Sequence, residues 1–427
     1  MMIGLSVGIV VLMSQVWGMQ LQRTPPDITA PPSPLPARDA PRIPGTPFID
    51  AVMKHDPEFD LNSIPLTQWL EARDSQEIPW KTRIENAELR MDQRLEVAYS
   101  ATLQPKDVNN LAGDLYFIAG VTDAAGNSLV PPKVVHRSLD GKIPEDKELR
   151  FNDNVIAQPG EYFLCLVLYE SQTGRHNTLK RRITVTTSSG DPLPNAGKDL
   201  PQLEFFDFTD RERGTLQFFK GLSLPVMNKR MLRVELISLL NPPEQWSDLR
   251  RIVRRHMQQT AAALNALSQL RLAQGTVSVI GLDVAHGAVA FQQADVEQLN
   301  SEELTAVLNK IADDNTVSLA TMERGGSGAF FRESLDRQLT PSTGAMKIIV
   351  VVSGSEVFDP SGSVKPLDPR KNCDCRVYHL RFRYDIHDGS DDIGKILKPL
   401  GPRTFDITTP REFRKSLAEI IRDLNNF

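Results

Sequence analysis

Cysteine is scarce: Cys165, Cys373 and Cys375 are the three in a chain of 427 residues. That number excludes a disulfide-built scaffold. Cys165 lies in the apolar run YFLCLVLYE and reads as a small buried core residue. Cys373 and Cys375 flank a single aspartate and read as free thiols or as a candidate local disulfide. A zinc site shared with His379 and His387 matches none of the common ligand spacings, and His379 falls inside an apolar strand. A basic excess is also missing. A formal net charge of -5 argues against a nucleic-acid partner, because phosphate neutralisation needs a basic face. A comfortable membrane span is lacking too. Residues 1–22 carry no charge, but their apolar core runs only from Ile3 to Val16, short of the ~20 residues a spanning helix requires.

That uncharged start resembles a secretory signal, residues 1–18, cleaved after Gly18, although it has no basic n-region. The expected location is therefore exported, periplasmic or extracellular, with a membrane tether if the segment is retained. Residues 19–48 hold many of the chain's 30 prolines, as in TPPDITAPPSPLPARDAPRIPGTP. Such a stretch cannot bury a core and reads as an extended, disordered tether.

The remainder predicts a multidomain chain. Residues 49–86 read as a short helical preface, with the helix starting near Pro65. Residues 87–187 contain five runs of apolar alternation, RLEVAYSATL, GDLYFIAGVTD, KELRFNDNVI, GEYFLCLVLYE and LKRRITVTT, separated by turn residues. This spacing predicts an antiparallel, immunoglobulin- or fibronectin-like β-sandwich, in which Tyr162 either ties a corner to upstream backbone or simply packs in the sheet. Residues 188–231 form a connector with one strand near Leu203; its GDPLPNAGK departs from a phosphate loop in the Gly190-to-Gly197 spacing and in Asp199. Residues 232–427 alternate strands and helices, which predicts an α/β doubly wound, Rossmann-type sheet. Its helix from Trp246 to Leu272 carries Arg250, Arg251, Arg254 and Arg255 as a stripe expected to be a solvated face.

The order TVSVIGLDV-AHGA-VAFQQ, then SEELTAVLNKI, then the strand MKIIVVV ending in Ser353-Gly354-Ser355 resembles the von Willebrand factor A family. More narrowly, DDIGKILKPLGPRTFDITTPREFRKSLAEIIRDL, together with the sandwich before it, is similar to A-domain-related proteins of the acidobacterial type. That resemblance implies a vWA-like fold and, where the family motif is intact, a divalent metal held by hard oxygen ligands at the strand ends. Here the matching positions are Ser238, Leu240 and Pro242 on the first strand and Gly354 on the central one, with Ser327 as a remnant hydroxyl. The resemblance therefore implies a vacated, degenerate metal site: no metal and no cofactor are expected. By analogy, the top-loop residues Asn241, Glu244, Ser327, Ser353, Ser355 and Glu356 are the candidates to contact a partner.

Chemistry is otherwise thinly marked. Gly325-Gly326-Ser327-Gly328 has Ala329 where a nucleophile elbow needs glycine. Asp313-Asp314 and Asp391-Asp392 are paired carboxylates, the second pair expected to cap a helix. The sequence predicts an exported, non-catalytic protein–protein interaction or envelope-scaffold protein with an unidentified protein partner. The alternative is a hydrolase using Ser353 or Ser355, with His286 as its nearest candidate base.

Overall fold

The computed structural model describes residues 48–50, 60–72, 74–139, 141–187, 189–205, 221–241, 250–313, 326–340, 344–358, 364–368, 375–383 and 391–427. The signal and most of the proline-rich stretch lie outside them, as do Pro242, Glu244, Asp314, Cys373, His387 and the side chains of Arg250, Arg251, Arg254 and Arg255. Within them the chain is a mixed α/β protein with several sheets. No helix of the described residues is long and apolar enough to cross a membrane.

Two sheets share one core in the N-terminal half. In the first, the strand Glu148–Ala157 lies between Leu95–Leu103 and Phe48–Asp50, with Lys81–Ile84 beyond Leu95–Leu103. In the second the order is Ser75–Gln76, His176–Val185, Gly160–Glu170, Leu115–Thr122, Lys133–Arg137. Period-two alternation explains the shared core. Val97, Tyr99, Ala101 and Leu103 from one sheet meet Leu115, Phe117, Leu164 and Leu166 from the other. Gly126 and Gly174 take φ values of 87 and 76 in two of the turns, a conformation that favours glycine. Tyr162 does tie the corner: its hydroxyl donates to the Gln158 carbonyl at 2.9 Å.

The preface and connector needed correction. Helix survives between 60 and 86 at Leu66–Glu71 and in a single tight turn, whereas Ser75–Gln76 and Lys81–Ile84 are edge strands of the two sheets. These strands are too short and too polar to announce themselves by alternation. The connector also joins both halves. Leu203–Phe205 adds to the first sheet, Leu224–Val226 pairs with Leu270–Leu272, and Arg414 grips the Asp191 carboxylate through Nε at 2.5 Å and Nη2 at 2.7 Å.

The C-terminal half is one six-stranded sheet. Its strands are β1 (Leu232–Leu239), β2 (Gly275–Asp283), β3 (Ala288–Gln293), β4 (Met346–Gly354), β5 (Cys375–Phe382) and β6 (Arg403–Ile407). Their order is β3-β2-β1-β4-β5-β6, with every pairing parallel except β2 with β3. The helices are α1 (Arg250–Leu267), α2 (Ser301–Asp313), α3 (Gly326–Gln338), α4 (Asp392–Leu397) and α5 (Pro410–Asn425).

Strand β4 shows why the sheet must be covered twice. Ile348, Val350 and Val352 pack with Leu264 of α1, Leu304 of α2 and Leu417 of α5, while Ile349 and Val351 pack with Phe331 of α3 and Ile393 of α4. An unbroken apolar run is what a strand buried on both faces requires. Helix α5 is fixed at its start by a capping box between Thr409 and Glu412. A chain that leaves β1 toward one side and β4 toward the other opens a switch point between their carboxyl ends, the usual place for a ligand in such sheets.

Candidate functional site

The end of β1 is filled by its own chain. Ser238 is wholly buried, and its hydroxyl lies 3.5 Å from the Leu239 carbonyl. Leu240 is 0% exposed and lies directly over Gly281 of β2, so close that a Cβ there would meet Leu240 Cδ1 at 2.7 Å. Asn241 donates through Nδ2 to Asp283 Oδ1 at 3.0 Å and accepts from the Val284 amide at 2.6 Å. It thus clips the end of β1 to the β2–β3 hairpin. Asp283 also holds His286, Nδ1 to Oδ2 at 2.8 Å.

The end of β4 is equally closed. Ser353 is 1% exposed and shares a hydrogen bond of 2.9 Å with His379 Nε2 on the neighbouring strand β5. Parallel pairing sets Val351 opposite His379 and Ser353 opposite Arg381, which brings the hydroxyl and the imidazole onto one face. Burial pushes His379 down to about 4, so the ring is neutral at ordinary pH. Asp391 Oδ2 stands 4.0 Å from His379 Nδ1, outside hydrogen-bond range, and is held instead by Arg381 Nη1 at 2.9 Å. Arg381 is shared with Asp406, its Nε donating at 2.6 Å.

The paired carboxylates Asp391 and Asp392 therefore do not cap α4. Asp391 occupies the N-cap position but makes no side-chain cap bond, and its Oδ2 is turned to the Arg381 guanidinium. Asp392 is fully buried, accepting from the Phe358 amide at 2.8 Å and from Lys395 Nζ at 2.7 Å, while its own amide donates to the Glu356 carbonyl. Asp392 lashes the segment after β4 to α4, and Asp391 ties the start of α4 to β5 through Arg381. Ser327 stands half-buried in the first turn of α3, where neighbouring Gly328 gives room to the Phe358 ring.

Four of the six candidate partner contacts are corrected by these placements. Asn241, Ser353, Ser355 and Glu356 are each buried. Strand-end polar groups here serve to close the crevice, so they do not present themselves to a second protein. Ser327 is half-buried, and Glu244 lies outside the described residues. Cys375 is disulfide-bonded, Cys165 is free and buried, and burial pushes the Cys165 thiol up.

The metal-ligand positions can be judged by their atoms. At Ser238, Leu240 and Gly354 stand a hydroxyl turned to its own backbone, a leucine side chain and a glycine. These groups do not fit a divalent cation, which needs several oxygen donors with charge to offset its own. Among the described residues no three His, Cys, Asp or Glu side chains group closely enough to hold a metal ion.

His379 is the residue that sequence reasoning missed as a partner for Ser353. Both stand out as polar positions within apolar strands, but their meeting depends on strand order across 26 residues.

No family model matches the chain, and no curated protein matches it. Among solved structures it is similar to a von Willebrand factor type A protein from Catenulispora acidiphila, at 10% identity and a TM-score of 0.25, over 63% of this chain and 47% of that one. It is similar to a family 123 glycoside hydrolase from Clostridium perfringens at 7% identity and a TM-score of 0.26, over 82% and 90% of the two chains. A family 2 glycosyl hydrolase from Bacteroides cellulosilyticus follows at 12% identity and a TM-score of 0.19, over 76% and 36%. This chain thus spans about half the length of the first and roughly a third of the last. At such TM-scores none of these likenesses bears on what the chain does.

Proposed function

We propose that this is an exported, non-catalytic protein that binds another protein or scaffolds the cell envelope. In this reading an immunoglobulin-like sandwich carries a vWA-like domain of the acidobacterial type whose metal-dependent site has been lost. The supporting observation is the filled switch point: Leu240 is packed over Gly281 at a ligand position and Gly354 stands at the position of the family's aspartate. Binding is then metal-independent and uses surfaces other than the closed strand ends. Nucleic acid is not the partner, given the net charge of -5.

The 2.9 Å contact between Ser353 and His379 favours a second reading, a serine hydrolase. Two features weigh against it. Serine and histidine are 1% and 0% exposed, so a substrate carbonyl has no approach, and Asp391 is turned to Arg381. A fluorophosphonate probe separates the two readings. The folded chain is expected to stay unlabelled, with or without Ser353→Ala. Labelling that Ser353→Ala abolishes would establish the hydrolase and overturn the non-catalytic reading.

A further inference from the structure

Three polar side chains sit in the apolar stripe of the sandwich. Along the strand Glu148–Ala157, the inward positions Leu149, Phe151, Val155 and Ala157 are core, and Asp153 occupies the inward position among them. Tyr99 is its register partner on the adjacent strand, itself between the core residues Val97 and Ala101. Lys133 begins the edge strand of the other sheet and reaches across. Its Nζ lies 3.2 Å from Asp153 Oδ1 and 3.1 Å from Oδ2, with the two side chains 8% and 2% exposed. Tyr99 Oη donates to Oδ2 at 2.9 Å and the Asn154 amide donates to Oδ1 at 2.6 Å. The Phe117 ring packs 6.2 Å from Tyr99 and 5.3 Å from Phe151, keeping the surroundings apolar.

A lone ion pair recovers little of its desolvation cost in such a place. Low polarity instead favours the neutral acid and the neutral amine, which are the forms that react with each other. Burial agrees with this, pushing Asp153 up to about 6 against the opposing pull of Lys133. The segment 87–187 also contains no cysteine besides Cys165, so it has no disulfide of its own to join its sheets.

We propose that Lys133 and Asp153 condense to an intramolecular amide, a cross-link that the sandwich makes for itself between its two sheets. A proton passes from the ammonium to Oδ1 across the existing contact, leaving an amine and a carboxylic acid. The Nζ lone pair attacks Cγ, and the negative charge that develops on Oδ2 is stabilised by the Tyr99 hydroxyl. A second proton moves from nitrogen to Oδ1, the Cγ–Oδ1 bond breaks, and water leaves. The product keeps one hydrogen on nitrogen and Oδ2 as the amide carbonyl. No oxidant, reductant or cofactor takes part. Tyr99 is in this scheme the group that touches the reacting oxygen, and the Asn154 amide assists the departing one.

Peptide mapping by mass spectrometry of the purified full chain tests this without depending on any variant. The expected result is a branched peptide joining the Lys133 and Asp153 segments, one water lighter than their sum, with trypsin unable to cut after Lys133. Lys133→Arg keeps the cation but should yield linear peptides only. Tyr99→Phe should slow conversion by about a hundredfold, the usual effect of losing one oxyanion donor. Recovery of linear, full-mass peptides from folded wild-type chain after prolonged incubation would overturn the cross-link and leave a buried ion pair.

Discussion

Lowering the pH from about 7 to about 4 is expected to strip the C-terminal half of most of its stability. His256 and His379 are both fully buried, and burial holds both at about 4. An unfolded histidine titrates near 6.5, so over this interval the unfolded chain takes up protons that the folded chain refuses. Stability is therefore fully present above about pH 6.5 and is lost as the pH falls toward 4. The loss is on the order of 3 kcal/mol for each histidine, a sum comparable to the whole stability of an ordinary domain. The groups facing His379 are Ser353, Asp391, Arg381 and Asp406; His256 is held by the backbone of Leu239 and Leu240 and lies 3.5 Å from Thr260.

In the sandwich, an Asp153 carboxyl that has not condensed acts in the opposite sense. Asp153 is pushed up to about 6, so the folded form binds its proton first and that group's contribution grows as the pH falls from about 6 to about 4. Cross-linking of Asp153 would remove this term altogether. Urea unfolding at several pH values, followed by a probe in the C-terminal half, should thus show stability falling with the pH. His379→Gln should remove about half the slope in the C-terminal half. A C-terminal half equally stable at pH 7 and pH 4 would contradict the burial of both rings.

Gly275→Ala is expected to cost on the order of 4 kcal/mol or more, or to prevent the C-terminal half from folding. Gly275 has φ of 135, in a region L side chains rarely enter, and it pairs with Leu232 where β2 begins beside β1. A Cβ at this position would run into the Leu232 carbonyl oxygen and stand 2.8 Å from its carbon. Backbone cannot step aside there, because Leu232 is also paired with Met346 of β4 on its other side. Gly344→Ala, where φ is 82 but the space around is open, isolates the conformational part of the cost. Chemical denaturation of both variants should show the larger loss at Gly275. Equal losses would mean that the β1–β2 contact is looser than described.

Much of this architecture could be read from local pattern. The five apolar residues Ile348 to Val352 could only be a strand covered on both faces, and the alternation in 87–187 marked the sandwich. Short polar edge strands such as Lys81–Ile84 carried no such pattern and passed for a preface. The candidate site was harder. Leu240 and Gly354 are legible in the sequence as strand-end positions without a carboxylate, whereas Ser353 meets His379 only through the register of β4 and β5. Asp391 looked like a helix cap because nothing local reveals that Arg381 arrives from the strand end ten residues before it. Asp153 and Lys133 were visible as polar residues among apolar neighbours, but which polar residue faces which is settled by the packing of two sheets.

A calorimetric titration of the chain from about residue 20 onward with Mg²⁺, Mn²⁺ and Ca²⁺ bears on the filled strand-end crevice. No saturable heat up to millimolar metal is the expected result, since Ser238, Leu240 and Gly354 offer no carboxylate. A saturable site in the micromolar range would contradict it.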